Sequence, residues 1–466
     1  MRICNRGWHL AKQAPAAPSV ADPARLTAYH VLARADAGHR INDALYQGLS
    51  GAELSDRERR FVTELVMGTT RMRRRLDADL ARCYRGRYGR IESGVKRLLR
   101  LGAYQLLFMD GVPAHAALNT TVELAQAVRL ARASGIVNGV LRQLTRQPPP
   151  GKLPATASTS ALADAFSHPE WLVERWQERL GREQAMSLMA WNNRPPTIWL
   201  RLRASLQKRQ RLAQLAGESG TTLQPHALLS NYVTATPSPA PLLIPEVLQE
   251  GLFIVQDPSS GAVVQAVDPQ PGETIIDLCA GPGGKTAALA DSVGPHGRIL
   301  AYERDNRRIG MLRDTLNRLG LDNVDIFPGD ATARELPPAD KILVDTPCTG
   351  TGVMSRRADL RWRRQPEHLA ELAALQLSLL THAAGQLRPG GILVYATCSL
   401  EPEENWDLVE TFQGRQPQFG LLPLPEGVPR SWQDGNGALC SFPPQHEVDG
   451  MFAVRLMDMS SGDAAS

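Results

Sequence analysis

The sequence has little cysteine and no cysteine pattern. Six cysteines are scattered over 466 residues, and no two share a C-x-x-C spacing. That argues against a disulfide framework and against a zinc ribbon. Long apolar runs are missing too, so no stretch is expected to span a bilayer. Residues 1–20 lack the continuous apolar core of a secretory signal. The expectation is a cytoplasmic protein whose thiols stay reduced. Strong charge is also absent: the formal net charge is +4, in itself a weak argument for nucleic acid. An apolar fraction of 43% and a charged fraction of 21% fit a soluble globular chain. A chain of this length holds roughly two to four domains.

The chain reads as a succession of segments. Residues 1–24, rich in Ala and Pro, are expected to be a disordered extension. Residues 25–147 carry helical periodicity throughout: Leu26, Tyr29 and Leu32, then Val95, Leu98, Leu99 and Leu101, then Ile136, Val137, Val140 and Leu141. Ser55-Asp56-Arg57-Glu58 has the form of a capping box. A Pro-rich linker is expected over 148–162. A small α/β module follows over 163–246, with Ile198–Arg203 as a strand. An alternating α/β domain occupies 247–458, and a tail 459–466. Three basic clusters stand out: Arg71, Arg73, Arg74 and Arg75; Arg82, Arg85, Arg87 and Arg90; Arg201, Arg203, Lys208, Arg209 and Arg211. Each is either a solvated helix face or a set of phosphate contacts.

The third domain is organised around Asp277-Leu278-Cys279-Ala280-Gly281-Pro282-Gly283-Gly284-Lys285-Thr286. A short apolar strand precedes it and a helix follows. Glycines here let backbone approach a ligand closely, and the helix start offers free N–H groups. Further strands are expected at Arg298–Glu303, Val324–Phe327, Lys341–Val344 and Gly391–Ala396, with Met451–Leu456 as an antiparallel edge. Asp277, Glu303, Asp330 and Asp345 then stand at or just past strand C-termini, which line one crevice in a doubly wound sheet. Glu303 either caps the next helix or binds ribose hydroxyls, and the loop before it favours ribose. Asp330 suits an adenine amino group. The loop is not G-x-G-x-x-G, which counts against a nicotinamide dinucleotide. These features together suggest S-adenosylmethionine.

Two cysteine motifs indicate the reaction. Asp345-Thr346-Pro347-Cys348-Thr349-Gly350-Thr351-Gly352 and Tyr395-Ala396-Thr397-Cys398-Ser399-Leu400, with Glu401-Pro402-Glu403-Glu404-Asn405 and Asp449-Gly450-Met451-Phe452, resemble the RNA 5-methylcytosine methyltransferase family. Carbon 5 of a pyrimidine is a poor nucleophile, and a thiolate adding to carbon 6 activates it. The resemblance implies Cys398 as nucleophile and Cys348 in product release, with Asp345 and Lys285 completing the reacting set. It further implies cofactor contacts from Cys279, Ala280, Gly281, Pro282, Gly283, Gly284, Lys285, Glu303, Asp330 and Asp345. DNA cytosine methyltransferases, by contrast, attack with the P-C cysteine. Arg357-Ala358-Asp359 departs from the family's usual R-x-P-D.

The helical segment resembles the NusB family of RNA-binding proteins through Leu98–Leu107, Val112–Asn119 and Val137-Asn138-Gly139-Val140-Leu141-Arg142. The fusion of this segment to the catalytic domain resembles the RsmB (Fmu/Sun) type, which modifies bacterial 16S ribosomal RNA. The implied architecture is multidomain: an all-α NusB-like bundle, a small α+β module and an α/β Rossmann-like class I methyltransferase domain. RNA is the implied partner, free or in an assembling small subunit, with no membrane or metal and a monomeric state. Transfer RNA as substrate is one alternative. A non-catalytic RNA-binding assembly factor is another, against which the intact Cys348, Cys398, Asp345 and Lys285 speak.

Overall fold

The structure, a computed structural model, describes residues 22–147, 153–154 and 156–460. The expectations for most of the N-terminal extension, for the first part of the linker and for the last six residues lie outside them. The chain divides into two compact units, residues 1–173 and 174–466.

The first unit is helical. Its main helices run over Pro23–Asp36, Ile41–Ser50, Asp56–Arg71, Arg73–Cys83, Ser93–Phe108, Ala114–Ala127 and Ser134–Arg146. The capping box forms: the Ser55 side chain accepts the Glu58 N–H, while the Glu58 carboxylate accepts the Ser55 N–H. Leu65, Leu98, Leu99, Leu101, Leu124, Val137 and Leu141 meet in one core. Ile136, expected on the apolar face, is exposed instead. The expected linker ends early, since a helix already begins at Thr159 and runs to Phe166.

The Arg71–Arg75 cluster is corrected by the structure. Arg71 is buried. Arg74 pairs with Asp164 at 2.6 Å and with Glu170 at 3.3 Å. Arg75 pairs with Asp79 at 2.7 Å. Burial pulls the Arg73 pKa down from its ordinary value. These cations are engaged within the unit, which counts against their forming a free phosphate-binding face. Arg85, Arg87 and Arg90 remain exposed, and Arg87 and Arg90 line an open concavity of about 520 Å³ with Tyr84 and Ile91.

The second unit contains two sheets. The smaller is antiparallel, in the order β2-β3-β1-β4, from β1 (Leu200–Leu202), β2 (Thr222–Pro225), β3 (Tyr232–Thr236) and β4 (Phe253–Val255). Its fourth strand comes from beyond residue 247, so the stretch expected to open the catalytic domain completes the small module's sheet. The third basic cluster is used here internally. Arg203 pairs with Asp291 at 3.0 Å and donates to the carbonyls of Gly251 and Leu319. Lys208 reaches the same two carbonyls, and Arg211 pairs with Glu250. Leu319 ends the helix Asn306–Leu319, so two cations sit where that helix's dipole and free carbonyls favour positive charge.

The larger sheet comprises β5 (Thr274–Asp277), β6 (Arg298–Glu303), β7 (Val324–Pro328), β8 (Ala339–Asp345), β9 (Leu387–Thr397), β10 (Phe419–Leu422), β11 (Leu439–Cys440) and β12 (Phe452–Asp458). The order is β10-β12-β9-β8-β5-β6-β7, with β11 beside β12. Strands β9, β8, β5, β6 and β7 are mutually parallel, while β12 runs antiparallel to both of its neighbours, β9 and β10. β12 was expected at the edge. It is instead paired on both sides, and β10 is the edge. Chain order reverses between β5 and β8, and ligands bind at such a switch point. β5, β6, β8 and β9 are buried on both faces, as a helix-covered parallel sheet requires.

Candidate active site

The C-terminal ends of β5, β6, β8 and β9 deliver the site. At the end of β5, Asp277 is fully buried and accepts from the Thr286 hydroxyl at 2.7 Å. Burial pushes its carboxyl up to about 6. The loop then turns through Gly281 at φ 58° and Gly283 at φ 90°, both in the left-handed region. A Cβ at Gly281 would meet only the Cys279 carbonyl, at 4.0 Å, so the loop opens on free space. A Cβ at Gly283 would come within 2.5 Å of Leu312. Ala280 N–H bonds the Tyr302 carbonyl, Pro282 accepts from Thr315, and Gly284 begins the helix Gly284–Val293. Cys279 sits half-buried, and burial raises its thiol well above the usual range.

At the end of β6, Glu303 is buried with one oxygen held by the Gly281 N–H (3.0 Å) and the other by the Asp305 N–H (2.8 Å). Asp305, not Glu303, caps the following helix. The Glu303 carboxylate is thereby aimed at the glycine loop. Asp330, past β7, is exposed, with one oxygen committed to Thr332 and the other without a hydrogen-bond partner among the described residues.

At the end of β8, Asp345 binds the Lys285 ammonium at 2.8 Å. Burial works against that ammonium, but the charge and hydrogen bond of Asp345 outweigh it and hold the Lys285 pKa above its ordinary value. Three residues on, the Cys348 sulfur lies 3.0 Å from that of Cys398, which follows β9. Cys348 is buried and Cys398 half-buried. The hydrogen bond from Cys348 lowers the Cys398 pKa, with the positive charges of Arg357 and Lys285 assisting against burial. The same contact and burial raise Cys348. Of the two, the more accessible Cys398 is the one pushed toward the thiolate, and Cys348 the one pushed toward the thiol.

A buried carboxylate that motif reading left without a role holds the two cysteine loops in register. Glu404 accepts from the Thr349 N–H and from Gln376 (2.8 and 2.9 Å), and from the hydroxyls of Thr349 and Ser399. Arg364 fixes the other side of the first loop through the carbonyls of Cys348 and Thr349. Glu401 is fully buried and receives Arg175, Arg179 and the Trp176 indole N–H. Glu401 and Glu404 stand in the quoted motif, so an acid there was a legible signal; Gln376, Arg364 and Arg175 lie outside any motif. Among the predicted residues, Gly281 contacts Glu303, Lys285 contacts Asp345, and Cys348 contacts Cys398. Among the described residues, no group of three or more His, Cys, Asp or Glu side chains is arranged to hold a metal ion, and no helix is long and apolar enough to cross a membrane.

This sheet order, with its glycine loop at the switch point, defines a Rossmann-like methyltransferase domain. Comparison with known proteins narrows the class. The family model described as 16S rRNA methyltransferase RsmB/F matches residues 264–457, the NusB family model 22–146, and a ferredoxin-like domain of RsmF/B-like methyltransferases 168–235. A Synechocystis sp. protein named "Probable ribosomal RNA small subunit methyltransferase B" is 36% identical over 89% of this chain and 94% of its own. Ribosomal RNA small subunit methyltransferase B of Klebsiella pneumoniae is 34% identical over 87% of this chain and 91% of its own. The crystal structure of a methyltransferase homolog protein from Pyrococcus horikoshii, 28% identical, matches with a TM-score of 0.55 over 65% of this chain and 99% of that one. The chain belongs to the RsmB/F family of 16S ribosomal RNA methyltransferases.

Proposed function

We propose that this protein methylates carbon 5 of a cytosine in 16S ribosomal RNA, using S-adenosylmethionine and a covalent Cys398–cytosine adduct. The observation that carries the reading is the thiol pair, 3.0 Å apart at the ends of two neighbouring parallel strands. Methylation of an amine or ring nitrogen needs no thiolate; methylation of a pyrimidine carbon does. The cradle at Gly281 and Gly283 and the oriented Glu303 fit S-adenosylmethionine, with Glu303 toward ribose hydroxyls and Asp330 toward an adenine amino group. When bound, S-adenosylmethionine supplies an electrophilic methyl group.

The chain's own residues do the rest. The cytosine leaves any stack to reach the thiols. The Cys398 thiolate forms a bond to carbon 6, and the electron pair of the 5,6 double bond moves to carbon 5, which takes the methyl group. As the thiolate adds, ring nitrogen 3 takes up a proton that it shares with Asp345, which Lys285 steadies, and it gives that proton up again when the thiolate leaves. A base then removes the carbon-5 proton. The electron pair left behind restores the double bond and expels the Cys398 thiolate. Cys348 assists that release as a proton carrier beside the departing sulfur. The test is to incubate the protein with unmodified small-subunit RNA and map 5-methylcytosine. One modified cytosine, lost with Cys398→Ala, is expected. Methylation at a base nitrogen, or undiminished turnover by Cys398→Ala, would refute the reading.

A further inference from the structure

Beside the thiols, beyond the Asp449-Gly450 turn, lies a cavity of about 200 Å³ that the reaction above does not use. Its walls include Trp191, Trp199, Arg194, Asp257, Arg356 and Asp449. The exposed Arg194 guanidinium stands 5.5 Å from the centre of the Trp191 ring and makes no ion pair among the described residues. On the opposite side, Arg356 bridges the Oδ2 atoms of Asp257 (2.5 Å) and Asp449 (2.6 Å), and the Asp449 N–H donates to Asp257 Oδ1 at 3.1 Å. Arg356 engages Asp449 through Oδ2, which leaves Oδ1 as an acceptor held in a fixed place. The turn also abuts the reacting loop. Gly450 N–H bonds the Gly352 carbonyl at 2.8 Å, and Gly352 N–H bonds that of Cys398 at 3.0 Å. A Cβ on Gly352 would lie 2.3 Å from the Gly450 oxygen, so the two segments touch without room for a side chain.

The volume is below the roughly 300–1,000 Å³ of sites for drug-sized ligands, and suits one planar ring system. Indole rings in the wall for stacking, a guanidinium with no ion-pair partner among the described residues for a phosphate, and a fixed carboxylate oxygen for an amino group are what an unpaired nucleotide requires. We propose that the cavity holds the nucleotide next to the target cytosine, its base against Trp191, its amino group toward Asp449 and its phosphate at Arg194. The inference rests on the RNA reading above and deepens it.

The test uses the full chain and an RNA fragment that the wild-type protein methylates, remade with one abasic site at each position flanking the target. One flanking abasic site should weaken binding by about 5- to 150-fold, the range for loss of a stacked base. Trp191→Ala should lose a similar factor on intact RNA and little more on that abasic RNA, whereas Trp191→Phe should recover most of the loss. Affinity for S-adenosylmethionine should be unchanged in both variants. Equal affinity of wild-type protein for every abasic RNA would overturn the proposal, and that arm does not depend on whether Trp191→Ala folds. So would a Trp191→Ala deficit that is the same on intact and on every abasic RNA. If the wild-type protein neither binds nor methylates RNA, the reading of the reaction fails first and the cavity proposal with it.

Discussion

At the scale of single residues, chemistry and pH are tied through the thiol pair. The Cys398 pKa lies below the usual thiol range chiefly because Cys348 donates to it. Its thiolate is present above that pKa and lost as pH falls through it. Alkylation of Cys398 by iodoacetamide should therefore rise to its plateau at a lower pH than for an ordinary cysteine. Cys348→Ala should shift that midpoint upward, since the hydrogen bond is removed. A midpoint in the usual thiol range for the wild type, unmoved by Cys348→Ala, would contradict the polarity assigned here. Glu303→Ala should weaken S-adenosylmethionine binding, measured by calorimetry at a temperature where the variant is shown to be folded; unchanged affinity would remove its ribose role. These residues were legible in the sequence because each lies in a short motif whose spacing is local. Arg364 and Gln376 were not legible. They reach the Cys348 loop from a turn and a helix whose approach depends on tertiary packing.

At the scale of elements, the site depends on two loops from neighbouring strands keeping one register, and Glu404 links them. Removing its carboxylate leaves several buried donors unpaired. Glu404→Ala should cost on the order of 3 kcal/mol or more and should slow adduct formation; a melting temperature equal to wild type would show that the loops hold without it. Arg203→Met should destabilise by about 3 kcal/mol, because it strands Asp291 and uncaps the end of the helix Asn306–Leu319. Urea unfolding measures this, and an unchanged midpoint would return Arg203 to the surface. Strand existence could be read from apolar runs, since β5, β6, β8 and β9 are buried on both faces. Strand partnership could not. Phe253–Val255 pairs with β1 in the smaller sheet and Phe452–Asp458 lies inside the larger one, because pairing is decided by the fold and leaves no periodicity of its own. The internal use of the first and third basic clusters was hidden for a related reason. A run of arginines looks the same whether it faces solvent or meets Asp164 and Asp291, far away in sequence.

At the scale of the whole molecule, the helical unit is expected to add affinity for RNA through charge. The exposed Arg85, Arg87 and Arg90 are the candidates, in place of the engaged Arg71–Arg75 group. Replacing Arg87 and Arg90 together with Glu should weaken RNA binding and reduce the slope of log affinity against log salt by roughly 2. Arg74→Glu should instead lower stability, since it sets a carboxylate against Asp164 and Glu170. An unchanged salt slope in the Arg87/Arg90 variant would place the RNA-binding face elsewhere. The central claim, that Cys398 bonds covalently to a cytosine of small-subunit ribosomal RNA, is tested most directly by trapping. Cys348→Ala is incubated with unmodified small-subunit RNA and S-adenosylmethionine, the denatured complex is digested, and the peptide carrying the nucleotide is sequenced by mass spectrometry. The account predicts an adduct that survives denaturation, joins Cys398 to a cytidine bearing a new methyl group, and is missing from the Cys348→Ala, Cys398→Ala double variant. A nucleotide on any other residue, or an adduct formed by Cys398→Ala through Cys348, would contradict it.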